Sequence, residues 1–288
     1  MARLNPGHHP HRRLVTLPSG EQVSALGMGT WHLGESPATR AEEIATLRLG
    51  IDLGMNLVDT AEMYGEGLAE DLVGEALAKR RDEFFLVTKV YPHNASRLGL
   101  PVACANSLRR LRTEQIDLYL LHWRGDVPLE ETVAGFMALQ DAGVIRYWGV
   151  SNFDTGDMEE LWSVRGGSDA VTDQVLYNLM RRGIEWNLYH WLRQHRLPVM
   201  AYSPFDQARL LHDQRLIGFA RANDMTPAQV ALAWLISHDD VIAIPRTGSR
   251  HRLQENARAL DVRLTPEQLA ELDVLFPPPS HPIPLEML

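Results

Sequence analysis

The chain has 288 residues, with 28 Lys and Arg against 37 Asp and Glu (formal net charge −9) and a single cysteine. That length buries a sizeable core without disulfides or a structural metal, and one cysteine excludes an intrachain disulfide and a Cys-x-x-Cys site. The acidic balance argues against a nucleic-acid partner, no apolar run approaches the roughly 18 residues of a membrane helix, and a cytoplasmic location is expected from the cysteine usage and the lack of a signal-peptide core.

Residues 1–13, rich in His, Arg, Pro and Gly, read as a flexible N-terminus. His8, His9 and His11 are assigned to it rather than to a metal site. Residues 14–26, with Pro18-Ser19-Gly20 as the turn, predict a β-hairpin. From there short apolar runs alternate with helical periodicity. The runs are 25–30, 56–59, 84–88, 116–121, 145–150, 170–174, 198–201 and 241–244. Several are continuously apolar, as strands buried on both faces are. Helical patterns fall at 39–53, 69–79, 101–111, 129–142, 155–164, 185–195, 213–223, 226–237, 250–260 and 265–276. Gly54 is placed as a C-cap, and Thr226-Pro227 and Thr265-Pro266 as helix starts. Eight strand–helix pairs predict an α/β (β/α)8 TIM barrel with an N-terminal hairpin and two extra helices, spanning 14–276 as one domain. An open doubly wound sheet is the alternative, but no G-x-G-x-x-G comes after the first strand. Residues 277–288 form a Pro-rich tail, expected to be extended.

In such barrels the chemistry sits at the C-terminal ends of the strands. The polar residues at the ends of the runs are therefore informative. Asp59 and Tyr64 come after the second, Lys89 after the third, His122 and Trp123 after the fourth, and Ser151 and Asn152 after the fifth. Gln174 ends the sixth, Tyr202 and Ser203 come after the seventh, and Arg246 and Thr247 after the eighth. A free phenol is too weak an acid for efficient proton donation near neutrality. An ammonium beside it lowers its pKa, and a carboxylate keeps that ammonium charged and oriented. With a histidine to orient a carbonyl oxygen, Asp59, Tyr64, Lys89 and His122 suit protonation of the alkoxide formed when hydride reaches a carbonyl carbon. The hydride must come from a cofactor.

Asp59-Thr60-Ala61-Glu62-Met63-Tyr64-Gly65, Thr88-Lys89, Leu121-His122-Trp123, Gly149-Val150-Ser151-Asn152-Phe153, Tyr202-Ser203-Pro204 and Ile244-Pro245-Arg246 through Glu255-Asn256 resemble the aldo-keto reductase family. The resemblance covers residues 14–276. In residues 87–92 and in Gly183-Ile184-Glu185 the chain is most similar to bacterial members active on methylglyoxal. The resemblance implies a catalytic tetrad of Asp59, Tyr64, Lys89 and His122 with Tyr64 as proton donor, and NADP(H) as cofactor. It implies that Ser151, Asn152 and Gln174 hold the nicotinamide carboxamide and that Tyr202 stacks on the ring. Arg246, Thr247 and Arg252 would meet the 2′-phosphate, and Glu255 and Asn256 the adenine. Thr30, Trp31, Asp59, Ser203, Phe205 and Gln207 complete the implied cofactor contacts, and Trp31, Tyr91 and Trp123 the substrate pocket. Arginine suits the phosphate because its planar fork binds two oxygens and stacks on a base. Arg246, Arg250 and Arg252 would form a local basic pocket in an acidic chain.

Two other readings compete: a lyase using Lys89 as a Schiff-base nucleophile, and a regulatory protein that senses bound nicotinamide. Asp59 beside Lys89 weakens the first, and the intact tetrad weakens the second. Short loops and a short tail suggest an open site for a small carbonyl substrate, methylglyoxal foremost. No metal is expected. With no heptad or apolar stripe, a monomer is expected. Cys104, in a helix away from the strand ends, is expected to be a buried, inert thiol.

Overall fold

The structure, a computed structural model, describes residues 13–288. Residues 1–12, including His8, His9 and His11, lie outside the described residues. Arg13 is tied to the fold, its guanidinium donating to the carbonyls of Ile236 at 2.5 Å and Val262 at 3.0 Å.

Strands β1 (Leu14–Thr16) and β2 (Gln22–Ser24) pair antiparallel with Val15 opposite Val23. Eight parallel strands come next among the described residues: β3 (Met28–Gly29), β4 (Leu57–Asp59), β5 (Phe85–Val90), β6 (Ile116–Leu121), β7 (Ile145–Ser151), β8 (Asp173–Leu176), β9 (Val199–Tyr202) and β10 (Val241–Ala243). Each pairs with its neighbour in chain order. Isolated parallel bridges, Leu26 to Ala243 and Gly29 to Arg246, join the first of these strands to the last. Those bridges curl the sheet into a barrel and close its two edges on each other. The hairpin lies across the N-terminal end, where Glu21 pairs with Arg146 near the start of β7.

Ten helices among the described residues surround the sheet: α1 (Arg40–Asp52), α2 (Leu68–Leu77), α3 (Gly99–Leu111), α4 (Leu129–Asp141), α5 (Thr155–Ser163), α6 (Leu188–Gln194), α7 (Gln214–Ala222), α8 (Pro227–Leu235), α9 (Arg250–Ala257) and α10 (Pro266–Leu275). The last two units carry two helices each, which accounts for the expected surplus. Helix starts at α5, α8 and α10 are fixed by reciprocal caps, Asp154 with Asp157, Thr226 with Gln229 and Thr265 with Gln268. Each cap satisfies two backbone donors that a helix start otherwise leaves unpaired. None of the helices among the described residues is long and apolar enough to cross a membrane.

The core between sheet and helices is aromatic on one side. Phe136 of α4 stacks on Trp148 of β7 with centroids 5.3 Å apart, and meets Tyr119 of β6 edge-on. Cys104 is buried in α3, and burial pushes its thiol up to about 12.

Several element boundaries differ from the sequence reading, three of them informatively. β5 runs two residues past 88, because Lys89 is buried in the barrel by its partners rather than standing beyond the strand. β8 is shifted from 170–174 to Asp173–Leu176, with a short 3-10 turn, Gly167–Asp169, ahead of it. The helix expected from 185 begins at Leu188, where the Asn187 side chain caps it; a 3-10 turn, Gly183–Trp186, precedes it.

The tail returns to the C-terminal face of the barrel. Glu286 pairs with Arg181, and Ile283 packs over Gly183. The tail ends at the mouth of the barrel, with Met287 and Leu288 in the wall of its cavity.

Candidate active site

Asp59 is the last residue of β4, Lys89 lies inside β5, and His122 comes directly after β6. Three neighbouring strands thus bring together groups that lie 30 and 33 residues apart in the chain. Tyr64 comes from the turn between β4 and α2. In that turn Gly65, Glu66 and Gly67 hold φ values of 57°, 53° and 94°. This left-handed run costs little at the two glycines, and it turns the Tyr64 ring toward Lys89.

The Lys89 ammonium donates to both Asp59 oxygens at 2.8 Å, to the Thr60 carbonyl at 2.8 Å and to the Tyr64 hydroxyl at 3.2 Å. The Tyr64 and His122 rings meet edge-on with centroids 5.8 Å apart. All four sequence-predicted tetrad residues therefore lie together.

Their electrostatics differ from the simplest expectation. Burial, with Asp59 adding to it, pushes the Tyr64 phenol well above its ordinary value. The ammonium does not win, because Asp59 neutralises it across a two-oxygen contact. Burial also draws Lys89 below its ordinary value, with Asp59 and Glu70 opposing that shift. Burial, then the charge of Lys89, holds His122 well below the usual imidazole value. The site therefore contains a phenol that keeps its proton and a neutral imidazole at physiological pH.

A ring of side chains supports this group. Gln174 donates to Asp59 Oδ1 at 2.8 Å, and Thr30 donates to the Asp59 carbonyl at 2.9 Å. Ser151 donates to the Gln174 carbonyl at 2.7 Å. Asn152, at φ 60°, donates to the His122 carbonyl and accepts from the Tyr202 hydroxyl at 2.9 Å. Residues expected at the cofactor and residues of the tetrad are thus one hydrogen-bonded network.

A cavity of about 400 Å3 opens over the tetrad, walled by Trp31, Met63, Trp123, Tyr202, Met287 and Leu288 among others. A second, of about 510 Å3, contains Phe205, Gln207, Thr247, Arg252, Glu255 and Asn256. Trp31, Ser203, Pro204 and Arg246 border both, so the two form one groove. Beside it Asp206, Gln207 and Ala208 form another left-handed run, with buried Asp206 held by Arg181 and Arg209.

An elongated dinucleotide fits the donor set of this groove. Aromatic and amide groups lie at the tetrad end, and a guanidinium, a carboxylate and an amide at the other. The buried Nδ1 of His122 has no hydrogen-bond partner among the described residues. Arg252 likewise carries no hydrogen bond or ion pair among them.

Some expected residues stand elsewhere than anticipated. Tyr91 does not wall the cavity: its N–H is held by Glu62, its ring stacks on His93, and it backs Trp123 edge-on. Arg246 turns to the carbonyls of Trp31 at 2.9 Å and His32 at 3.0 Å. Arg250 pairs with Glu42. The basic pocket expected from three arginines therefore narrows to Arg252, with Arg246 at its edge. The sequence reading missed Met63, which sits inside a motif it singled out, and Met287 and Leu288, for which no periodicity gives a signal.

The sequence model of the Aldo/keto reductase family matches residues 25–276. The methylglyoxal reductase YeaE of Escherichia coli (strain K12) is 47% identical over 282 residues, covering 96% of this chain and 99% of that protein. An aldo/keto reductase from Klebsiella pneumoniae, solved in complex with NADP and acetate, superposes with a TM-score of 0.94 at 48% identity. The match covers 96% of this chain and 100% of that one. An aldo-keto reductase from the same organism, in complex with NADPH, gives the same TM-score and identity over 96% and 99% of the two chains.

Proposed function

We propose that this chain, which belongs to the aldo/keto reductase family, reduces small neutral aldehydes and ketones to alcohols with Tyr64 as the proton donor. It is an NADP-dependent oxidoreductase. Bound at the groove, the nicotinamide cofactor supplies the hydride, which no side chain can.

The chain's own residues do the rest. His122, neutral, hydrogen-bonds the carbonyl oxygen and polarises it. Tyr64 gives its proton to that oxygen as negative charge develops there. An alkoxide is far more basic than a phenolate, so a phenol with a raised pKa still donates downhill. Lys89, 3.2 Å away, then stabilises the phenolate left behind. Asp59 keeps Lys89 charged and aimed.

At the groove, Ser151, Asn152 and Gln174 would hold the carboxamide. Gln174 spends its amide nitrogen on Asp59, which leaves its oxygen to accept from the carboxamide. Tyr202 would lie against the ring. Arg252 is the group best placed for the 2′-phosphate, with Arg246 and Thr247 beside it and Glu255 and Asn256 at the adenine. Trp31, Met63 and Trp123 give the substrate end apolar walls, and Arg246, the guanidinium that borders this cavity, is turned to the Trp31 and His32 carbonyls, which favours uncharged substrates. The likeness to a methylglyoxal reductase points the same way.

The observation that carries this reading is the Tyr64 hydroxyl, in the cavity wall, on the fully buried Lys89 ammonium. Consumption of NADPH against NADH with methylglyoxal and a panel of small aldehydes tests it. Turnover with NADPH is expected. Tight NADPH binding without turnover on the whole panel would favour the sensing role instead. The Schiff-base reading is disfavoured because the Lys89 nitrogen is fully committed to four acceptors.

A further inference from the structure

Behind the wall that carries Lys89 lies a second buried polar cluster. Side chains alternate across a strand, so Thr88 faces the helices where Lys89 faces the barrel interior. Its hydroxyl donates to Glu70 Oε1 at 2.6 Å. Glu70 sits in the first turn of α2 and is fully buried. Its Oε2 accepts from Arg110 of α3 at 2.6 Å, and Arg110 also donates to Ser107. Arg110 in turn lies against Gly67, where a Cβ would come within 2.6 Å of its Cδ. Gly67 closes the turn that presents Tyr64.

One carboxylate therefore clamps both elements that carry the proton-transfer pair. Through Thr88 it holds the strand of Lys89. Through Arg110, packed against Gly67, it backs the turn of Tyr64. Burying a carboxylate costs several kcal/mol, and an apolar side chain of like volume serves packing at least as well. Burial raises the Glu70 carboxyl above its ordinary value, and Arg110, with Thr88 and Ser107, holds it toward the charged form.

We propose that Glu70, acting through Thr88 and Arg110, is a positioning residue that sets the geometry and charge of the Tyr64–Lys89 pair. The inference rests on the reading of Tyr64 as proton donor. Lys89 faces Asp59, Tyr64 and His122 inside the barrel and Glu70 behind it; Glu70 itself faces Arg110 and Cys104 from α3 and Tyr119 from β6. Asp59 and Glu70 both favour the charged form of Lys89.

Two substitutions separate the two effects. In Glu70→Gln the amide still reaches Arg110 and Thr88, so shape is kept and charge is lost. In Thr88→Val the charge is kept and the tie to β5 is lost. The pH profile of kcat, the NADPH dissociation constant from fluorescence titration and the melting temperature are measured for each. Glu70→Gln is expected to move the alkaline limb of kcat to lower pH. Thr88→Val is expected to lower kcat on the order of tenfold without moving that limb, since misplacement of a reacting group is costly even at sub-ångström scale. NADPH affinity stays unchanged in both. Wild-type kcat and pH limb in both variants, or an effect confined to melting temperature or cofactor affinity, overturns the proposal. Should Glu70→Gln fail to fold, Thr88→Val decides alone on kcat. Tyr64→Phe in the same assay separates the readings. If it is inactive while the other two behave as wild type, only the role of Glu70 falls. If it retains turnover, the donor assignment falls and this proposal with it.

Discussion

Lys89 and Asp59 form a two-oxygen ion pair at 2.8 Å with both side chains almost fully removed from solvent. Such a pair is costly to bury, and more costly to break, because removing one partner strands the other charge. Lys89→Met is expected to abolish turnover and to destabilise the fold by about 3–5 kcal/mol, read from chemical denaturation. Normal stability in this variant would show that Asp59 is compensated elsewhere, and Gln174 would be the group to examine.

The pH dependence of kcat is set by the directions of the shifts. His122 is held well below its usual value, so it is neutral throughout the neutral range and adds no acid limb near pH 6.5. Tyr64 is held well above its usual value and keeps its proton through the same range. Lys89 is lowered, so it loses its charge first on the alkaline side. A plateau through neutrality, falling at a pH below the ordinary lysine value, is expected. A bell centred on the ordinary imidazole pKa would contradict the assignment of His122 as a neutral donor.

Asp173 in β8 is buried with neither carboxylate oxygen hydrogen-bonded to a side chain among the described residues, and burial raises its pKa well above the carboxylate range. The sign is then fixed. The folded state keeps a proton that the unfolded state gives up above about pH 3.9. Stability falls as pH rises from there to the folded pKa. Asp173→Asn is expected to gain stability at neutral pH, on the order of 1–3 kcal/mol, with little gain near pH 4. Denaturation midpoints at the two pH values check it.

Arg252 lines the end of the groove away from the tetrad without a partner among the described residues, whereas Arg246 is tied to the Trp31 and His32 carbonyls. A charged hydrogen bond is worth about 1.5–3 kcal/mol. Arg252→Ala is expected to weaken NADPH binding by that amount and NADH binding far less. Arg246→Ala is expected to loosen the Trp31 wall and to raise the substrate KM as well. Equal losses for the two cofactors in Arg252→Ala would move the phosphate contact elsewhere.

Much of this was legible in the chain, for a physical reason. The run 116–121 coincides with β6 because a strand buried on both faces is uniformly apolar, and Thr226 and Thr265 begin helices because each has its reciprocal cap three residues on. Asp59, Lys89 and His122 were legible because residues at or near strand ends inherit their place from the barrel, and Tyr64 because its turn comes soon after β4. The features that escaped join distant parts of the chain. Glu70 meets Arg110 forty residues away, and the tail is held by a pair, Arg181 and Glu286, 105 residues apart. Arg246 sits where expected in the fold, yet its direction depends on two backbone carbonyls that no side-chain pattern reveals.

The central claim is that Tyr64 delivers the proton from within the Lys89–Asp59 network. Tyr64→Phe tests it most directly, with NADPH binding and steady-state reduction of methylglyoxal measured on the same preparation. NADPH is expected to bind as in the wild type and turnover to be almost entirely lost. Turnover near the wild-type rate, with binding intact, would contradict it.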